Sequence, residues 1–150
     1  MANVELTQPE ADALLEMEKC KADDQAWDYP GLVGGNISIP LLSRDRRESF
    51  LLDVGRSGTI VLKGKYQNRA RQTFILARLD FGGSLHRNPD GSELSCPHLH
   101  LYKEGYGSKW AYPIPSETFG DTSDVWETLL DFMRFCNITE PPIINKVLLI

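Results

Sequence analysis

The chain has 150 residues, 41% hydrophobic and 25% charged, with 16 Lys or Arg against 21 Asp or Glu and a formal net charge of −5. That length suffices for one domain with its own core and needs no disulfide staples. The composition is that of a soluble globular protein, and the apolar runs are far too short for a transmembrane helix. The opening MANVELTQPEADALL lacks a basic leader with an apolar core. Cys20, Cys96 and Cys136, odd in number and without CxxC spacing, read as free thiols, so a reducing cytoplasm is expected.

The first predicted element is a helix over 8–21. Thr7 and Glu10 form a T-x-x-E capping box, and Pro9 lies in the first turn, where a missing N–H costs nothing. Ala11, Leu14, Leu15 and Met17 supply its apolar face. Residues 23–35, broken by Pro30, Gly31, Gly34 and Gly35, predict irregular chain anchored by Trp27 and Tyr29. From Asn36 the period falls to two, predicting strands over 36–41, 49–54, 59–66, 73–80, 97–102 and 110–114. Gly55-Arg56-Ser57-Gly58 predicts a tight hairpin between the second and third strands. Gly82-Gly83 and the turn Asn88-Pro89-Asp90-Gly91 separate the fourth from the fifth. Short turns between successive strands imply an antiparallel meander, because parallel pairing needs crossovers. A second helix is expected over 123–136, with Trp126, Leu129, Leu130, Met133 and Cys136 on one stripe. Asp121 or Ser123 would cap it, and Asn137 with Pro141-Pro142 would stop it. The apolar Ile143-Ile144 and 147–150 should dock as a short strand. The expected fold is α+β, a single domain over 1–150. A curved antiparallel meander of about six strands carries the N-terminal and C-terminal helices on one face.

Two of the three histidines stand one residue apart in CPHLHLY, residues 96–102. Alternation puts Cys96, His98, His100 and Tyr102 on one face of that strand and Leu99 and Leu101 on the other. With the leucines inward, the histidines are expected on the wetter surface. Lys63 and Lys65 fall on the same side of the third strand, and Arg78 and Asp80 alternate with Ile75, Ala77 and Leu79 on the fourth. The expected composite face holds Lys63, Lys65, Arg78, His98 and His100, with His86 and Arg87 entering from the loop above. Charge is also uneven. Residues 56–110 carry nine Lys or Arg against four Asp or Glu, and the remainder seven against seventeen. Such asymmetry points to an anionic ligand near the middle segment.

The run LARLDFGGSLHRNPDGSELSCPHLHLYKEGYGSKWAYPI, with IPLLSRDRRESFLLDVGRSGTIVLKGKYQNRARQ and LLDFMRFCNI, resembles an uncharacterised prokaryotic family classed as a domain of unknown function. The resemblance covers most of the chain and implies a small bacterial or phage cytoplasmic protein. It brings no activity and no catalytic residues.

Three functional readings follow from the residues. The first is metal-independent RNA cleavage by a toxin-like ribonuclease of mobile-element or defence context, with no cofactor. His98 or His100 is the base, His86 the acid, and Arg78, Arg87 and Lys63 or Lys65 hold the phosphate. The acidic composition stands against it, because nuclease toxins of toxin–antitoxin pairs are usually basic. The second is a divalent transition-metal site of His98, His100 and Glu104, with His86 and Cys96 as substitute ligands. That reading resembles the first half of the cupin metal motif, whose second half is missing. The third is a binding or inhibitory protein that docks on a partner such as an antitoxin or a defence component, through Tyr102, Tyr106, Trp110 and Tyr112. Nucleotide fingerprints, a nucleophile elbow and zinc-finger spacing are all absent.

Overall fold

The capping box forms as read. The Thr7 hydroxyl accepts from Glu10 N at 3.2 Å, and Glu10 Oε1 accepts from Thr7 N at 3.0 Å. Helix α1 (Gln8–Glu16) therefore starts where the sequence places it, in a computed structural model that describes residues 5–31, 33–59 and 62–146. It ends five residues early, because Lys19–Lys21 is strand β1. A three-residue strand leaves no periodic signal of its own. It exists because residues far along the chain pair with both of its edges.

Strand β2 (Ala26–Asp28) interrupts the stretch expected to be irregular. Strands β3 (Gly35–Ser43), β4 (Ser49–Arg56), β5 (Gly64–Ala70) and β6 (Phe74–Phe81) form an antiparallel meander. A small hairpin follows, β7 (His86–Arg87) with β8 (Glu93–Leu94). Then come β9 (His98–Leu101), β10 (Ala111–Tyr112), α2 (Val125–Phe135), β11 (Ile138–Glu140) and β12 (Ile143–Asn145). The main sheet has eight strands in the order β10-β9-β6-β5-β4-β3-β1-β11. All its pairs are antiparallel except β1 with β11, so the sheet is open, mixed and mostly antiparallel. Among the described residues, twelve strands replace the expected six or so. The additional ones are two or three residues long, below the length at which alternation can be read.

Two boundaries differ from the expected hairpin. Gly55 and Arg56 belong to β4, not to a turn, and β5 begins at Gly64, not at 59. The connection is a longer loop over 57–63, of which 60 and 61 lie outside the described residues. Gly82 (φ +70°) explains how this loop is held, since a Cβ there would stand 2.1 Å from Leu62 O. Only glycine lets the two chain segments meet so closely. Ile143 and Ile144 do pair as a strand, parallel to β2, while 147–150 lie outside the described residues.

One face of the sheet is core. Ile37, Val54, Tyr66, Leu79 and Leu99 stand in register across five strands, and all but Ile37 are at most 1% exposed. Helix α2 is capped by Asp124, whose carboxylate accepts from Trp126 N and Glu127 N, not by Asp121 or Ser123. It buries Leu129 and Phe132, and Phe132 packs on Tyr66. Tyr66 donates its hydroxyl to Val125 O at 2.6 Å and bonds the hydroxyl of Tyr29. Burial raises its pKa, so the proton stays in place. Asn137 stops the helix at φ +57°, as expected. Both helices contribute to one hydrophobic cluster. Among the described residues no helix is long and apolar enough to cross a membrane, and the three cysteines are free.

Candidate functional site

The opposite face carries two polar rows in strand register. Ser38, Asp53, Gln67, Arg78 and His100 form one, and Asn36, Gly55, Lys65, Asp80 and His98 form the other. Asp53, second in the first row, centres a closed unit. It accepts two bonds from Arg69, at 2.7 and 2.9 Å, with further bonds from Ser38 and Gln67. Burial raises its pKa, but these donors outweigh burial and leave it below the usual carboxylate range.

The second unit joins both rows around Asp80. Alternation correctly groups His98 with His100, away from Leu99, but the expectation of a wet surface fails. His98 is 3% and His100 1% exposed. The reason is non-local: the β7–β8 hairpin and the 103–110 loop fold over them. Asn88 ties the hairpin down, accepting from Ala111 N at 2.8 Å and donating to Ala111 O at 3.1 Å. The Asn88–Gly91 turn closes with a 2.8 Å bond, as its residues predict. The 103–110 loop supplies carbonyls, Ser108 O to His100 Nδ1 at 2.8 Å and Lys109 O to His86 Nε2 at 2.8 Å.

The three imidazoles converge, with ring centres 4.6, 5.0 and 5.6 Å apart. His98 Nε2 and His100 Nε2 both approach Asp80 Oδ2, at 3.5 and 3.2 Å. Arg78 grips Asp80 with Nε at 3.0 Å and Nη2 at 3.3 Å, and Nη2 also stands 3.2 Å from His100 Nε2. A guanidinium only donates and a carboxylate only accepts, so these two neighbours of Nε2 demand opposite states of it. Burial raises the Asp80 carboxyl, yet the His100 contact and the charges of Arg78 and His100 win and hold it low. Burial lowers His98 and favours its neutral ring.

A cleft of about 390 Å³ opens beside this cluster. Asp80, His86 and His98 form part of its wall with Lys63, Lys65 and Cys96. Gly55 also lines it, and a Cβ there would stand 2.3 Å from Asn36 Oδ1. The volume lies at the lower end of the range of small-molecule pockets.

His86, His98, Lys63 and Lys65 meet at the cleft, whereas His100 sits behind it. Arg78 is occupied by Asp80, and Arg87 pairs with Glu93 on the hairpin. Glu104 is not with the histidines. It accepts from Gln8 N at 2.7 Å and joins the start of α1. Cys96 Sγ lies 3.6 Å from His98 Nδ1, with its pKa raised by burial. Tyr102, expected at an interface, is core and donates to Leu6 O. Tyr106 and Trp110 pack on each other, with Lys103 over both rings. Asp80 is the one member of the cluster outside the expected set. Its signal was available, since it alternates with Arg78 onto the histidine face.

Comparison with curated proteins and with solved structures finds no match. A family model described as a family of unknown function (DUF6978) matches residues 6–138. That match spans most of the chain and includes every residue of the cleft and of the Asp80 cluster, so the chain belongs to this family.

Proposed function

We propose that the cleft binds a phosphodiester and that the histidine centre on its wall acts on it. RNA is the first candidate, as for a toxin-like ribonuclease of mobile-element or defence context. The observation that carries this reading is the meeting of Lys63 and Lys65 with His86 and His98 in one cleft. Among the described residues no ion pair involves either lysine, whereas Arg69, Arg71, Arg78 and Arg87 are all paired with carboxylates. The two lysines therefore have charge to offer a phosphate. In RNA cleavage the 2′-oxygen forms a bond to phosphorus and the bond from phosphorus to the 5′-oxygen breaks. One group takes the 2′-hydroxyl proton and another returns a proton to the 5′-oxygen. His98 and His86 are the pair that lines the cleft for that exchange.

Total cellular RNA incubated with the purified chain tests the reading. Cleavage is expected, with a loss of tenfold or more in the Lys63→Ala/Lys65→Ala double variant, whose fold is checked by circular dichroism. RNA left intact by the folded wild-type protein, with and without added divalent metal, would sink the reading in favour of a docking protein.

A further inference from the structure

The directions of the histidine nitrogens favour a bound cation over free proton exchange. His98 turns Nδ1 toward Ser95 O at 3.3 Å, and His100 turns Nδ1 toward Ser108 O at 2.8 Å. A carbonyl only accepts, so wherever either ring is neutral its Nδ1 carries the proton and its Nε2 presents a lone pair. Both lone pairs then face one carboxylate oxygen, Asp80 Oδ2. Three electron-rich atoms directed at one another repel unless a positive charge stands among them.

We propose that Asp80, His98 and His100 form a divalent transition-metal site on the inner wall of the cleft, binding through the carboxylate and the two Nε2 atoms. The three residues bring their ligand atoms within 4.8 Å of one another. Bonds of roughly 2.0–2.2 Å put ligand atoms about 3.0 Å apart at right angles and about 3.4 Å apart at tetrahedral angles. The observed separations from Oδ2 are 3.2 and 3.5 Å, which match that range. The backbone carbonyls on Nδ1 are the support that ligating histidines ordinarily have, fixing both tautomer and ring plane. Two imidazoles and a carboxylate suit zinc or ferrous iron better than magnesium or calcium, which prefer all-oxygen shells. Three protein ligands leave positions for water or substrate, and Asp80 and His98 present that side to the cleft.

Arg78 supplies a positive charge at this centre in the metal-free protein. Its Nη2 lies 3.2 Å from His100 Nε2 and has to withdraw when an ion enters. The side chain is 25% exposed, which leaves it a route outward. The inference rests on the cleft reading above and changes the chemistry of its centre. A Lewis acid beside Lys63 and Lys65 replaces His98 as the group acting on the phosphate.

The test uses the full chain, freed of metal with a chelator and titrated with Zn(II) by calorimetry and with Co(II) by visible absorbance. One ion per chain is expected, with a Co(II) spectrum of mixed nitrogen and oxygen ligation. Affinity should fall roughly tenfold or more in Asp80→Asn and in His98→Ala. Should His98→Ala fail to fold, the isosteric Asp80→Asn and the wild-type spectrum still decide. A folded wild-type protein that takes up neither ion overturns the site, as does an affinity unchanged by Asp80→Asn. RNA cleavage is scored separately. One bound ion with intact RNA keeps the metal site and removes the ribonuclease reading. Cleavage that persists in EDTA, with no ion bound, does the reverse.

Discussion

At the scale of single residues, the two faces of the sheet obey different rules. On the core face burial makes hydrogen-bond partners necessary, although Asn68 Oδ1 lacks one. Tyr66 is 0% exposed, yet its hydroxyl is satisfied by Val125 O and by Tyr29. Tyr66→Phe would keep the ring packing against Phe81 and Phe132 while leaving the Val125 carbonyl and the Tyr29 hydroxyl short of a partner. A loss of about 1–3 kcal/mol is expected, read from the urea midpoint at unchanged slope. An unchanged midpoint would mean that water replaces the missing hydroxyl. On the other face polar atoms are left with competing partners, as at His100 Nε2 between Arg78 and Asp80. An atom with two incompatible neighbours is poorly satisfied by protein alone, which is what a ligand site requires.

Among elements, Lys19 joins three that are distant in sequence. Its ammonium donates to Leu15 O at 2.8 Å and Met17 O at 2.9 Å at the end of α1, and to Cys136 O at 2.7 Å at the end of α2. It also lies 4.9 Å from the Phe50 ring centre. One cation thus caps both helices where their unpaired carbonyls converge. Lysine at this position also explains why α1 cannot continue, because its backbone is engaged by β3 and β11. Burial lowers its pKa from 10.5 to about 8. Between those values the unfolded chain binds more protons than the folded one. The stability contributed here therefore rises from about pH 8 to about pH 10.5 and is lowest below pH 8. Urea midpoints of wild type and Lys19→Met should diverge over that window, with wild type gaining. Parallel profiles would show that the three carbonyls hold the lysine pKa near its ordinary value.

For the whole molecule, the sequence suggested a strongly basic middle segment, and folding neutralises much of it. Arg69, Arg71, Arg78 and Arg87 pair with Asp53, Glu48, Asp80 and Glu93. What remains at the cleft is local, on a chain of net charge −5. Binding of single-stranded RNA should therefore depend only weakly on salt. Each neutralised phosphate contributes about −0.7 to the slope of log affinity against log salt, so two lysines predict about −1.4. Fluorescence anisotropy across a potassium chloride series would measure it, and Lys63→Ala/Lys65→Ala should bring the slope close to zero. A much steeper slope would place the RNA on a broader basic surface than this cleft.

The amino-acid sequence by itself determined the elements whose signals are local. The Thr7 capping box, the Asn88–Gly91 turn, the stripe of α2 and the alternation of β6 and β9 all depend on residues within a few positions of one another. That alternation was enough to put His98, His100 and Arg78 on one face, and it carries Asp80 to the same face. Tertiary structure decided what distant segments do to one another. The short strands β1 and β11 exist only as partners, and burial of the histidines depends on a hairpin and a loop that Asn88 fastens together. Which carboxylate meets the histidines was settled in the same way. Glu104 is four residues from His100 in the chain but is held by Gln8, whereas Asp80 is brought to both histidines by the pairing of β6 with β9. Strand periodicity assigns a side chain to a face, but only the neighbouring strand and the covering loops set its distance from another group and its access to water.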